Sequence, residues 1–329
     1  MTTCTVKTPA GTIEFDCPPG ATLLDAALAA GWELPYSCRR GACETCRAGI
    51  VSGEVAPAPV DGSALLCCTR PLGDVEIAPL RIERQSAGNE LRRVTGKLYR
   101  VRWAAPDVAV VDIRFPAGTR VGFKAGQYLN VLMDGHEPRS FSMANAPKAN
   151  DGVQLQVRVL PGGLFGQRLK DGMEAGTPIE LELPLGDFHL RDAPGKPVIL
   201  VAGGTGFAPM QSLLDDALSR NPQRAFALYW GGRDLASLYA MDQVARWSRR
   251  HANFRFVGVL SDGPPTGGLR AGLVHRAVLE DHPALAGHDV YVCGSPGLVQ
   301  AARQDFAAAG LPPERFFADS FVTRTDAAG

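Results

Sequence analysis

No stretch of this 329-residue chain comes near the roughly 20 consecutive apolar residues that a membrane-spanning helix needs, and no membrane association is expected. Charge of either sign is not in excess either. Thirty-four Lys and Arg balance thirty-four Asp and Glu, with no long basic or acidic run, which argues against nucleic acid or an anionic lipid surface as partner. The first residues, MTTCTVKTPAG, have no apolar signal core. Eight cysteines in so long a chain are too few for a disulfide scaffold, so a reducing, cytoplasmic setting is expected. Repeats, low-complexity tracts, histidine clusters, carboxylate pairs and a Ser-His-Asp pattern are all missing, and with them the common hydrolytic chemistries. The length suggests two or three domains, and a monomer is the simplest expectation.

Five of the eight cysteines lie in two short stretches, YSCRRGACETCRAG and LLCCTRP. Cys38, Cys43 and Cys46 follow C-x4-C-x2-C, with a Cys-Cys pair about twenty residues on, the ligand pattern of a plant-type [2Fe–2S] cluster. Gly41 and the small Ala42 let backbone N–H groups approach the cluster sulfurs. A structural zinc site is the alternative, since C-x2-C is also half of a zinc knuckle, but no second C-x2-C follows. Cys4 and Cys17 have no partners at ligand spacing and are expected in the core. Arg39, Arg40 and Arg47 flank the loop, as a solvated rim or as a docking surface for an acidic partner.

The chain divides into blocks. Residues 1–83 carry a helix N-terminus at Thr22–Asp25, backed by Leu23, Leu24, Ala27 and Leu28, with strands predicted at 4–8, 12–16 and 75–77. Residues 84–93 are polar and form the expected linker. In 94–193, Val153, Leu155, Val157 and Val159 alternate with polar residues. Further strands are predicted at 98–103, 108–113, 127–133 and 179–183, together suggesting a closed antiparallel barrel. In 194–329, strands predicted at 198–201, 225–229, 255–259 and 290–293 alternate with helices, which implies a parallel, doubly wound sheet. Residues 323–329 are expected to fray.

Two of these blocks carry nucleotide-type motifs. VILVAGGTGFAP runs from a strand through Gly203, Gly204, Thr205 and Gly206 into a helix, a geometry that closes backbone N–H groups around a pyrophosphate. It has no Walker lysine, so ATP hydrolysis is not expected. ALYWGGRD puts Tyr229, Gly231 and Arg233 either where an adenosine ribose lies or, equally, in a buried Tyr-Trp pair with a solvated Arg. YVCGSPG puts Cys293 at a strand's carboxyl end, against a nicotinamide ring or as a buried inert thiol. In the barrel block, RSFS offers Arg139 for a phosphate, Phe141 for stacking and Ser142 for a redox-active nitrogen, and VLPGGLFG offers the Gly162–Gly163 turn to a second phosphate.

The motifs C-x4-C-x2-C…C, GQY, RSFS, GGTGFAP and CGSP resemble those of the ferredoxin–NADP reductase superfamily, in members with an N-terminal ferredoxin. RSFSMANAP, PGGLF, ELPLGDF and FFADSF are similar to the reductases of Rieske-type aromatic-ring-hydroxylating dioxygenases, of the terephthalate dioxygenase reductase kind, and to CDP-6-deoxy-glucoseen reductases. The resemblance implies a multidomain α+β and α/β chain: a β-grasp [2Fe–2S] ferredoxin domain, an antiparallel β-barrel flavin domain and a doubly wound parallel-sheet NAD(P) domain. Its spacing to Pro71 selects Cys67 over Cys68 as fourth cluster ligand. FAD is then held by Arg139, Ser140, Phe141, Ser142, Gly162 and Gly163, with Phe321 covering the flavin. NADH, or NADPH, is held by Gly203, Gly204, Thr205, Gly206, Pro209, Arg233, Cys293, Gly294, Ser295 and Pro296. Ser142 and Cys293 are the side chains expected beside the reacting rings. Two positions depart from the pattern: Phe141 where many relatives have Tyr, and Gly166 where many have Ser or Thr. The implied activity is an NAD(P)H-dependent oxidoreductase in which hydride passes to flavin and single electrons pass to the cluster and on to a terminal oxygenase. A deoxysugar reductase, a diiron monooxygenase reductase, or a non-catalytic electron carrier are the alternatives.

Overall fold

Alternation and glycine placement decide where this chain bends and what it buries. The computed structural model describes residues 2–86, 88–191, 195–264 and 267–322. The end expected to fray, 323–329, lies outside them. Two compact units emerge: residues 1–87 with 318–329, and residues 88–317.

In the first unit a five-stranded sheet has the order Gly11–Cys17, Thr2–Thr8, Val75–Pro79, Arg47–Ser52, Ser63–Leu65. Thr2–Thr8 runs parallel to Val75–Pro79 and antiparallel to its hairpin partner. Helix α1 (Leu23–Ala29) starts as its sequence signals, with Thr22 Oγ1 accepting the Asp25 N–H at 3.1 Å. Its Leu23, Leu24, Ala26 and Ala27 are buried. Cys4 and Cys17 are buried in this sheet, as their spacing suggested.

The second unit holds a barrel and a parallel sheet. The barrel strands run in the order His136–Ser142, Tyr128–Met133, Pro178–Leu185, Arg92–Ala105, Val108–Arg114, Gly152–Arg158, with every pairing antiparallel. A bridge between Met143 and Leu155 joins the two ends of this order. Val153, Leu155 and Val157 point inward beside Leu129, Val131 and Leu181, so the period-2 alternation becomes the barrel core. Helix α2 (Leu164–Lys170) drops Phe165 and Leu169 into that core.

The parallel sheet stacks Phe254–Leu260, Phe226–Gly232, Val198–Gly203 and Asp289–Gly294 in that order. Helices α3 (Phe207–Ala217) and α4 (Met241–Arg250) meet through Phe207 and Trp247, while α5 (Val274–Asp281) and α6 (Pro296–Ala308) pack together. The strands read as nearly continuous apolar runs, because helices flank the sheet. The fold class expected from the sequence is the one found. No helix among the described residues is long and apolar enough to cross a membrane.

Candidate redox and nucleotide sites

The cysteine loop leaves α1 and turns sharply. Arg39, Gly41 and Glu44 all have positive φ, at 54°, 76° and 57°. The turn sets four thiols beside one another in two pairs that shift each other's titration, Cys38 with Cys43 and Cys46 with Cys67. The Cys43 thiol lowers the Cys38 pKa to about 6, helped by the N–H groups of Arg40, Cys43 and Ala42. Arg40 N lies 3.4 Å from Cys38 Sγ. The Cys67 pKa is raised first by Cys46 and then by burial, with Cys68 and the Gly41 N–H opposing the shift. Cys68 Sγ sits 3.6 Å from Cys67 Sγ, and a Cβ on Gly41 would come 3.1 Å from it. Cys68 thus lies between Cys67 and the Gly41 turn, while Cys67 is the one of the two paired with Cys46. Of the flanking arginines, Arg39 pairs with Asp25, and Arg47 binds Glu44 at 2.7 Å and Ser63 Oγ at 2.8 Å. Ser37, one residue before Cys38, donates its buried hydroxyl to Asp319 Oδ1 at 2.6 Å and accepts the Ser320 N–H at 3.2 Å. The half-buried Phe321 follows directly.

In the barrel, His136–Ser142 places Arg139 and Phe141 on one face of the strand and Ser140 and Ser142 on the other. Phe141 is half-buried, its ring 5.4 Å from that of Phe165. Arg139 Nη1 donates to the carbonyls of Glu137 at 2.8 Å and Pro138 at 3.3 Å. Ser142 is buried. The Ser140 hydroxyl donates to Asn130 Oδ1 at 2.8 Å, a cross-strand bond that already occupies it. Gly162 has φ 71° and open space where a Cβ would be, and Gly163 caps α2. Gly166 faces Val159: a Cβ would stand 3.2 Å from the Val159 Cα, so a larger residue would crowd that strand.

In the parallel sheet the glycine-rich turn and the CGSP turn lie back to back. A Cβ on Gly206 would overlap the Cys293 carbonyl, and one on Gly294 would come 3.3 Å from Gly203 Cα. Beside them lies a cavity of about 400 Å³, lined by Gly203, Gly204, Gly231, Gly232, Arg233 and Ser295 among others. Pro209 and Cys293 are buried behind it, and Ser295 caps α6 by accepting the Leu298 N–H. Tyr229 is not at the cavity: it is fully buried and donates to Asp281 Oδ2 at 2.7 Å.

Three family models match in register with these regions: a 2Fe-2S iron-sulfur cluster binding domain over residues 5–72, an oxidoreductase FAD-binding domain over 96–190 and an oxidoreductase NAD-binding domain over 200–304. The chain is 39% identical over 323 residues to the terephthalate 1,2-dioxygenase reductase component 1 of a Comamonas species, covering 94% of this chain and 95% of that one. The chain belongs to the ferredoxin–NADP reductase superfamily, among the members with an N-terminal ferredoxin. This ferredoxin-fused reductase is also 34% identical to the CDP-6-deoxy-L-threo-D-glycero-4-hexulose-3-dehydrase reductase of Yersinia pseudotuberculosis, covering 95% and 97% of the two chains. Its fold matches the crystal structure of an Amycolatopsis cytochrome P450 reductase with a TM-score of 0.80 at 35% identity, covering 98% and 99%.

The reductase is thus an NAD(P)H-dependent oxidoreductase that uses a [2Fe–2S] cluster and FAD. Its residues fit those groups. Converging thiols approached by backbone N–H groups suit a thiolate-bound, anionic cluster. The arginine-aromatic pair and the open glycine turn suit a flavin dinucleotide, and the glycine-lined cavity at the strands' carboxyl ends suits a second dinucleotide. Reading the sequence missed Arg158, the last residue of a barrel strand. Its guanidinium lines the same cavity, lies 3.5 Å from the Cβ position of Gly204 and is held by Asp107 at 3.0 Å. Its cationic end in a run of apolar alternation was the available signal.

Proposed function

We propose that this chain is the reductase component of an aromatic-ring-hydroxylating dioxygenase, carrying electrons from NADH to a Rieske-type terminal oxygenase. The observation that carries this reading is the nearly full-length match to a terephthalate dioxygenase reductase at 39%, against 34% for the hexulose dehydrase reductase. On this reading residues 1–83 are the ferredoxin domain, 84–93 its linker, 94–193 the flavin domain and 194–329 the nicotinamide domain.

Cys38, Cys43, Cys46 and Cys67 hold the cluster, and Gly41 and Ala42 contribute N–H groups to its sulfurs. Arg139 neutralises the FAD pyrophosphate with the Gly162–Gly163 turn, Phe141 stacks on the cofactor, and Ser142 faces the isoalloxazine. The Gly203–Gly206 turn, Pro209, Arg233 and the Cys293–Pro296 turn bind the nicotinamide dinucleotide, with Arg158 reaching the same phosphates. When bound, the flavin takes two electrons from the coenzyme and releases them one at a time, as a one-electron cluster requires.

The test is affinity capture of the tagged chain from extract of its own host, followed by NADH-driven turnover with the captured protein. A Rieske oxygenase subunit that hydroxylates an aromatic substrate only when this chain is present is the expected result. A sugar dehydratase in that place would move the chain to deoxysugar synthesis, and a diiron hydroxylase would move it to monooxygenases.

A further inference from the structure

A row of side chains runs from the nucleotide-binding sheet into the barrel, within the one compact unit that contains both. Tyr239 donates its hydroxyl to Gln156 Oε1 at 2.6 Å. Gln156 Nε2 donates to Gln211 Oε1 at 2.9 Å, Gln211 Nε2 to Gln154 Oε1 at 3.1 Å, and Gln154 Nε2 to Asp112 Oδ1 at 2.8 Å. The second oxygen of Asp112 accepts from Arg100 Nη2 at 2.8 Å and Nε at 3.1 Å.

Every donor in the row points toward Asp112, and chemistry dictates that direction. An ionised carboxylate only accepts, so Gln154 must turn its NH2 group to Asp112. That leaves the Gln154 carbonyl for Gln211, the Gln211 carbonyl for Gln156, and the Gln156 carbonyl for Tyr239. Burial pushes the Tyr239 phenol above its usual range, so the proton it donates stays in place. Without the carboxylate, amides in series could reverse together at little cost; with it, a single arrangement satisfies all of them.

The two ends of the row matter to the dinucleotide loop. Gln211 sits on α3, the helix that the Gly203–Gly206 loop enters, and Gln156 lies on the barrel strand two residues before Arg158. The Tyr239 ring stands edge-on to Trp230, with centroids 5.3 Å apart, and Trp230 Nε1 donates to the Gly204 carbonyl at 2.9 Å. The loop is therefore tied to the barrel through α3, where Gln211 meets both Gln156 and Gln154 and Ser212 Oγ donates to the Asn145 carbonyl at 2.7 Å, and again through Trp230 and Tyr239; Gln156 is the residue that the two side-chain ties share.

We propose that the Tyr239–Gln156–Gln211–Gln154–Asp112 row is a directional clasp in which Gln156 is the positioning residue that sets the dinucleotide loop in one register on the barrel strand. The inference rests on reading that loop as the nicotinamide dinucleotide site. Orientation errors of this kind cost rate steeply, because an offset of about 1 Å in a reacting pair lowers the rate by up to about a hundredfold.

Gln156→Glu supplies a second pure acceptor at the far end of the row. Gln211 and then Gln154 must turn round, which sets the Gln154 carbonyl against the Asp112 carboxylate. Asp112→Asn then offers an N–H where it is needed. Anaerobic stopped-flow reduction of the bound flavin by NADH, melting temperature and NAD+ calorimetry are measured for each variant. Gln156→Glu is expected to slow reduction by about tenfold and lower the melting temperature, with the double variant recovering both to within about threefold of the parent rate. Gln156→Met keeps the shape but breaks the row. It should be slow as well, and not rescued by Asp112→Asn.

A double variant no faster than Gln156→Glu overturns the clasp, as does rescue of Gln156→Met or a Gln156→Met chain with the parent rate. If the parent chain neither binds NAD+ nor shows NADH-dependent flavin reduction, the dinucleotide reading itself fails and the clasp fails with it.

Discussion

At Gly206 two backbones meet with no room for a side chain between them: the glycine-rich turn and the carbonyl of Cys293. Gly206→Ala must push the two turns apart, and forcing atoms into a filled site costs typically about 1–3 kcal/mol. The expected result is a chain that retains FAD, melts at a lower temperature and binds NAD+ at least tenfold more weakly by calorimetry. Unchanged NAD+ affinity would show that the mutual spacing of the turns does not shape the site. Residues of this kind were legible in the sequence because their chemistry is local: three thiolates within nine positions, or three glycines between a strand and a helix. Arg158 was not legible, since its placement over Gly204 depends on how a barrel strand packs against a distant turn. Tyr229 misled for the opposite reason. Its position at a strand end suggested a ligand contact, but its hydroxyl is taken by Asp281 beneath α5.

Around α5 lie three imidazoles, His275 buried and His282 and His288 half-buried. His275 lies on the helix, His282 caps its end, and the His288 ring packs against His282 with centroids 4.9 Å apart. Burial lowers all three pKa values; the His282 value is lowered further by His288 and partly restored by Asp281, while Asp305 opposes the shift at His275 and Asp289 at His288. In the unfolded chain an imidazole titrates near about 6.5. Between the lowered folded values and that point the unfolded state binds more protons, so stability rises with pH there. It is fully present above about 6.5 and falls as the solution is acidified toward the folded values. A lower melting temperature at pH 5.5 than at pH 7.5 is expected, and His282→Gln with His288→Gln should shrink that difference. A drop of the same size in the double variant would assign the acid sensitivity to other groups. The elements themselves were legible to different degrees. The alternating barrel strand and the apolar parallel strands were read from periodicity, because each is defined by the face it buries. Strand His136–Ser142 was read only as a motif, since Pro138 and the charged Glu137 and Arg139 mask its pattern and its pairing comes from the hairpin across Asp134 and Gly135.

At the scale of the whole molecule, the chain keeps its one-electron and two-electron chemistry in different compact units. The cysteine loop belongs to residues 1–87 and 318–329, whereas the RSFS strand, the Gly162–Gly163 turn and the dinucleotide cavity all belong to residues 88–317. The return of Asp319 and Ser320 to Ser37 was invisible in the sequence, because a hydrogen bond between residues so far apart has no local signature. This division makes the two chemistries separable. Cys43→Ser removes one thiol from the cluster set, and its nearest partners, Cys38 and Thr45, lie in the same unit. The substitution leaves the contacts of the second unit in place. The variant is expected to lose the visible absorbance of the iron–sulfur centre and the ability to reduce cytochrome c, a one-electron acceptor served through the cluster. It should retain FAD and reduce ferricyanide from NADH at a rate within about twofold of the parent, because an acceptor that takes electrons from the flavin bypasses the cluster. If a folded, flavin-replete Cys43→Ser chain loses both activities, electrons do not leave the flavin independently of the cluster, and the order of the path must be redrawn.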